Sequence, residues 1–227
     1  MKAPRRPTAQ AAIRAAAVAG LLLAGCDTGS GAEDTAQAQA RTGAEPASPE
    51  LLMARPPEGW KVWSATQDPG LRVAQYVPAD TDADNWEQML RLESMAGDPL
   101  PDPIEFLTAL GRDQAAGCGQ SSDLNIHSGQ ENNYATSVRL FSCRNDAAPD
   151  LDQVTLIKAI RGNENFYVIA LTRRTTSGES TRPPVSDAEM AVWAAYMRTV
   201  TVCDPTRPEH PCPTSGEAPE QPAATAG

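Results

Sequence analysis

Gln153-Val-Thr-Leu-Ile-Lys-Ala-Ile160 and Asn165-Phe-Tyr-Val-Ile-Ala-Leu-Thr172 stand on either side of Gly162-Asn163. Both runs are rich in β-branched and aromatic residues, and the break between them carries turn residues. They read as paired strands, with Val154, Leu156 and Ile160, and Phe166, Val168 and Ala170, on alternating faces. Strands joined by so short a connection make an antiparallel sheet.

Working towards the N-terminus, the same pattern recurs. Asp123 to His127 and Tyr134 to Cys143 flank a Ser-Gly-Gln-Glu-Asn turn. Trp60-Lys-Val-Trp-Ser-Ala65 and Leu71-Arg-Val-Ala-Gln-Tyr-Val77 are alternating runs joined across Asp68-Pro69-Gly70, and they read as a hairpin. Between these pairs, Trp86-Glu-Gln-Met-Leu-Arg-Leu-Glu93 fits two templates. Trp86, Met89 and Leu90 suit a helical turn, and Leu90 with Leu92 suit a strand, so a short turn passing into a strand is expected.

Two helices interrupt the strands. Asp102 is placed to cap the first, Pro103 suits its first position, and Glu105 completes an arrangement like a capping box. Ile104, Leu107 and Leu110 with Phe106 give its apolar stripe, and Gly117 stops it. The second begins at the capping box Ser186-Asp-Ala-Glu189, with Val185 and Met190 placed as a hydrophobic staple. Met190, Trp193, Met197 and Val200 then recur at helical spacing, a stripe suited to packing on a sheet.

The order is strand, strand, strand, helix, four strands, helix. The expected class is α+β, an antiparallel sheet of about six or seven strands flanked by two main helices. From about Gly59 to Cys203, this order and spacings such as Tyr76-Val-Pro with Asn85-Trp86 resemble the PsbP/Mog1-like α/β/α sandwich. That resemblance implies an assembly or accessory factor rather than a catalyst. Lys158-Ala-Ile-Arg-Gly-Asn-Glu-Asn-Phe-Tyr-Val168 is also similar to a segment of uncharacterised proteobacterial lipoproteins, which brings no activity with it.

Outside the domain the chain changes character. Lys2, Arg5 and Arg6, the apolar run Ala15 to Ala24 and small residues before Cys26 have the layout of a secretory signal over residues 1–25. The run is short of the ~20 apolar residues of a membrane span. Leu23-Ala-Gly-Cys26 resembles the lipobox of bacterial lipoproteins, which implies cleavage before Cys26 and acylation of its thiol. Arg5-Arg6 has proline on both sides, so general secretion fits better than twin-arginine export. Asp27 resembles an inner-membrane retention signal of enteric bacteria. The expected location is a cell-membrane lipid anchor facing the periplasm.

Residues 26–57 read as a flexible acidic tether, Gly-, Ala-, Ser-, Thr-, Gln- and Glu-rich without apolar period. Leu51-Leu-Met53 is its exception, able to dock on the domain or form a brief helical turn. The globular domain is expected over 58–203 and a proline-rich disordered tail over 204–227.

Charge and cysteine usage narrow the partners. The chain carries 19 basic and 29 acidic residues, and removing the leader leaves 15 against 29, a formal charge of −14. Such a surface repels phosphate backbones, so no nucleic-acid partner is expected, and membrane attachment falls to the acyl chains. With Cys26 assigned to lipid, Cys118, Cys143, Cys203 and Cys212 remain, an even number suited to an oxidising compartment. Four cysteines allow three connectivities. Cys118–Cys143 and Cys203–Cys212 are favoured, tying the first helix to a central strand and closing a proline-rich loop on the last helix.

Catalytic signatures are sparse. No Gly-x-Ser-x-Gly, His-Glu-x-x-His or phosphate-cradling glycine loop occurs, and His127 and His210 are the only imidazoles. His127 reads as an ordinary strand residue, and a Cys118–His127 pair is less favoured than the disulfide. Asp80-Thr-Asp82-Ala-Asp84 begins like an EF-hand loop, but Asn85 and Arg91 occupy the positions of its glycine and bidentate glutamate, so it reads as a solvated turn. No catalytic residue, metal or cofactor is expected. The function expected is a lipid-anchored envelope protein with a non-catalytic binding or accessory domain and an envelope protein as partner. The alternative is an envelope enzyme or small-ligand binder with an unrecognised pocket.

Overall fold

The computed structural model describes residues 49–81, 85–144, 152–174 and 185–213. Eleven elements follow one another in these residues: β1 (Leu51–Met53), β2 (Trp60–Asp68), β3 (Leu71–Pro78), β4 (Gln88–Ala96), α1 (Pro103–Ala116), β5 (Gln120–Glu131), β6 (Tyr134–Arg144), β7 (Gln153–Arg161), β8 (Asn165–Arg174), α2 (Asp187–Thr199) and β9 (Thr201–Cys203). Seven strands form one antiparallel sheet in the order β2-β3-β4-β8-β7-β6-β5, while β1 and β9 pair separately. The class is α+β, as the order of strands and helices in the sequence suggests.

The period of two along each strand sorts side chains to two faces. Val154, Leu156 and Ile160 of β7 and Tyr167, Ile169 and Leu171 of β8 join Trp193, Tyr196 and Met197 of α2 in one core. Ile157, Ala159, Phe166, Val168 and Ala170 join Leu107 of α1 in the other. Each helix therefore covers its own face of the sheet, and β7 and β8 at its centre are buried on both.

Local signals explain the helix ends. The Asp102 carboxylate accepts hydrogen bonds from the amides of Ile104 and Glu105, satisfying two of the donors a helix start leaves open. At α2, Ser186 and Glu189 close both halves of a capping box, and Val185 and Met190 pack into the adjacent core. In α1 the stripe differs from expectation. Leu107 is buried, but Ile104 is half exposed, because the contact side runs through Gly111. A Cβ at Gly111 would come within 2.6 Å of the Phe141 ring, so the missing side chain lets α1 approach β6.

Two other segments depart from the sequence reading. Among the described residues no helical turn precedes β4. Trp86 lies ahead of the strand under the Arg174 guanidinium, 3.6 Å from its ring centroid, and β4 pairs with β3 and β8 on its two sides. Two flanking ladders outweigh the local helical pattern. β5 extends to Glu131, and its turn is Asn132-Asn133, with φ of 49° and 62°. Asparagine tolerates that left-handed conformation, which a two-residue hairpin needs.

The packed region also reaches beyond both edges of 58–203. Glu50 is buried and β1 pairs with β9, so the end of the segment read as tether docks as a strand. Beyond Cys203, residues 204–212 form a loop held on the β5–β6 turn. Asn132 Nδ2 donates to the Val202 and Pro211 carbonyls, Asn133 Nδ2 donates to that of Glu209, and the His210 ring stacks 3.9 Å from Tyr134.

Candidate functional site

Among the charged side chains buried in the described residues, Lys158 and Glu50 lie against the α2 face of the sheet, and sequence reasoning assigned neither a role. Lys158 lies in the period-two set Val154, Leu156, Lys158, Ile160, so its stem enters the core. Its Nζ donates to the Met197 carbonyl (2.9 Å), the Val200 carbonyl (2.8 Å) and the Glu131 carboxylate. An ammonium has three N–H groups, and all three are used. The positive charge caps the C-terminal end of α2, where the helix dipole favours it. Burial pushes the Lys158 pKa down, and the Glu131 charge resists that shift.

The second is Glu50. Its carboxylate accepts from the Asn163 amide (2.7 Å), the Tyr167 hydroxyl (3.1 Å) and the Asn165 amide (3.4 Å). Gly162 makes this possible, since a Cβ there would overlap the carboxylate. Burial, and then the Glu50 charge, raises the pKa of both Tyr134 and Tyr167. Both tyrosines therefore remain neutral beside the anion.

Next to Glu50 the same face opens into a cleft of about 880 Å³. Register builds its floor as two rows across the sheet, Ala65–Ala74–Leu92 and Gln67–Arg72–Ser94–Tyr167. The directly opposed Ala65 and Ala74 leave a depression where larger side chains would fill the space. Glu50, Leu51 and Leu52 line one side, and the Asp68-Pro69-Gly70 turn and Glu164 also border it. The cleft is thus part apolar and part polar, with Arg72, Asp68, Glu93 and Glu164 as its charged groups beside the committed Glu50.

The residues named from sequence lie elsewhere. The structure contains disulfides Cys118–Cys143 and Cys203–Cys212, the pairing favoured among the three. The first joins the segment after α1 to β6, and the second closes the loop packed on the β5–β6 turn. His127 sits on edge strand β5, about half exposed, with Nε2 4.0 Å from Glu131. Cys26 and Asp27 lie outside the described residues, as do Asp82 and Asp84. Among the described residues no helix is long and apolar enough to cross a membrane.

The chain carries a local signal for each of these two residues. Lys158 interrupts an otherwise apolar set on one strand face. Glu50 directly precedes Leu51-Leu-Met53, the apolar exception in a polar segment.

No protein-family profile matches the chain, and no curated protein matches it. Among solved structures it is similar to LpqN of Mycobacterium tuberculosis, described as involved in cell envelope biogenesis, at 11% identity. The match covers 70% of this chain and 87% of that one, with a TM-score of 0.41.

Proposed function

We propose that this chain is a lipid-anchored envelope protein, acylated at Cys26 and facing the periplasm. Its α+β domain is a non-catalytic binding module that takes an extended segment of another envelope protein. The observation that carries the reading is the cleft floored by Ala65, Ala74, Leu92 and Ser94, whose lining mixes apolar and polar surface and keeps its charges to a few positions. Such a lining suits a chain segment, which presents apolar side chains and backbone groups together. The buried carboxylate nearby is occupied by backbone amides and a tyrosine hydroxyl, which supports a structural rather than a proton-transfer role for Glu50.

The finer fold reading, a PsbP/Mog1-like sandwich, belongs to this proposal. It is supported by the element order, with one helix on each face of the antiparallel sheet. Small-ligand binding is a second reading, because the cleft volume falls within the range of ligand pockets, roughly 300–1,000 Å³.

A photo-crosslinking residue at Ala74 in the full-length protein, expressed in intact cells, tests the module. The expected result is a discrete adduct with one envelope protein. No protein adduct, together with a small molecule that co-purifies and protects the same position, would favour the second reading instead. Mass spectrometry of the mature N-terminal peptide tests the anchor, and an unmodified Cys26 thiol would remove it.

A further inference from the structure

One side of the cleft does not belong to the sheet that floors it. Glu50, Leu51 and Leu52 come from the N-terminal segment, whose strand β1 pairs with β9 over only three residues, Leu51↔Cys203, Leu52↔Val202 and Met53↔Thr201. So short a ladder is a weak hold by itself. Glu50 adds a second fastening on a different part of the domain, the β7–β8 turn, through Asn163, Asn165 and Tyr167. Hydrogen bonds to a carboxylate are stronger than neutral ones, and these reach across more than a hundred residues of sequence. Gly162 reserves the space they need. Immediately after β1 come Ala54, Arg55, Pro56, Pro57 and Glu58, outside any strand or helix.

We propose that Glu50–Met53 is a strap that leaves and rejoins the domain as one unit, turning about residues 54–58. In the closed state the Glu50 carboxylate is latched and the strap walls the cleft. In the open state the cleft is wider and Tyr167 and Asn165 are uncovered. The chain preceding the strap is the segment read as a membrane tether, so a pull from the anchored end reaches Glu50 before any strand of the main sheet. The consequence for binding rests on the cleft being the binding site, whereas the strap motion does not.

Hydrogen exchange on the full-length protein in detergent tests the motion. Glu50→Gln places an amide NH2 among donors and weakens the latch without changing its size. Tyr167→Phe, a milder variant, removes one donor and keeps the ring. Met53→Cys with Thr201→Cys, oxidised, ties the strap to β9. The expected result is that Leu51–Met53, Asn163 and Asn165 exchange together, roughly tenfold faster or more in Glu50→Gln and less so in Tyr167→Phe, while Ile169–Leu171 keep their protection. The crosslinked variant slows the same set.

Exchange of Leu51–Met53 that is independent of Asn163 and Asn165, or that occurs only with the core of β8, overturns the strap. The Ala74 adduct, measured in the same variants, reports separately on the binding reading. Adduct yield that follows the exchange rates supports both. Concerted exchange with no adduct in any variant leaves the strap standing and removes the cleft as a protein-binding site.

Discussion

β7–β8 and β2–β3 are both antiparallel hairpins of similar length in one sheet, yet they sit in opposite environments. From Val154 to Ile160 every residue of β7 is buried, and β8 is buried from Phe166 to Leu171. In β2 no residue is fully buried, and Val62 is 59% exposed. The first hairpin has neighbours on both edges and a helix on each face, so even its lysine is enclosed and must be fully hydrogen-bonded. The second ends the sheet at β2 among the described residues and, where it lines the cleft, carries the small or polar side chains Ala65, Thr66, Gln67 and Ala74 where the first has Ile, Leu and Phe. One hairpin holds the fold together, and the other leaves room on it.

The largest effect should come from the buried hairpin. Phe166 is fully buried and packs edge-on to Phe106, with ring centroids 4.9 Å apart. Phe166→Ala should cost about 3–5 kcal/mol, read as a lower denaturant midpoint. A loss below about 1 kcal/mol would mean that this hairpin is no more central than the other.

Alkaline titration sharpens the same contrast. Tyr134, Tyr167 and Tyr196 surround the α2 face of the buried hairpin, and burial raises the pKa of each. A tyrosine whose folded pKa lies above its unfolded value of about 10 contributes stability that is whole below that pH and is lost as pH rises above it. Lys158 has the opposite sign, since its folded pKa is lowered and its deficit shrinks as pH approaches its ordinary value. Three groups oppose one, so the thermal midpoint should fall above about pH 10. Tyrosinate absorbance from these three should appear only with unfolding, and ionisation within the folded protein would contradict their enclosure.

The smallest effect belongs to the bare hairpin. Ala65→Leu places a larger side chain over an exposed depression, and stability should move by no more than about 0.5 kcal/mol. The same substitution should lower the yield of the Ala74 adduct. Unchanged adduct yield would separate the depression from the binding surface.

Much of the architecture is legible along the chain because the signals are local. Gly162-Asn163 between two apolar runs, Asp102-Pro103 and the Ser186/Glu189 box each act over a few residues, through turn conformation or the open donors of a helix end. Asn132-Asn133 is equally local, and its left-handed turn sets the end of β5 at Glu131 rather than His127. The cleft was not legible, because its rows combine residues from β2, β3, β4 and β8, and no spacing in one strand encodes which strands become neighbours.

By itself the sequence determined the alternation of strands and helices, the two helix starts, the acidic charge, and the export and lipobox-like patterns before Cys26. Tertiary structure alone decided that Glu50 is buried, that Lys158 closes the end of α2, and that one hairpin is enclosed while its counterpart stays open. The physical reason is range. Capping, turns and strand period are settled by a residue's near neighbours, whereas the burial of a charge depends on partners brought together by folding, as when the Glu50 carboxylate meets the Asn163 amide.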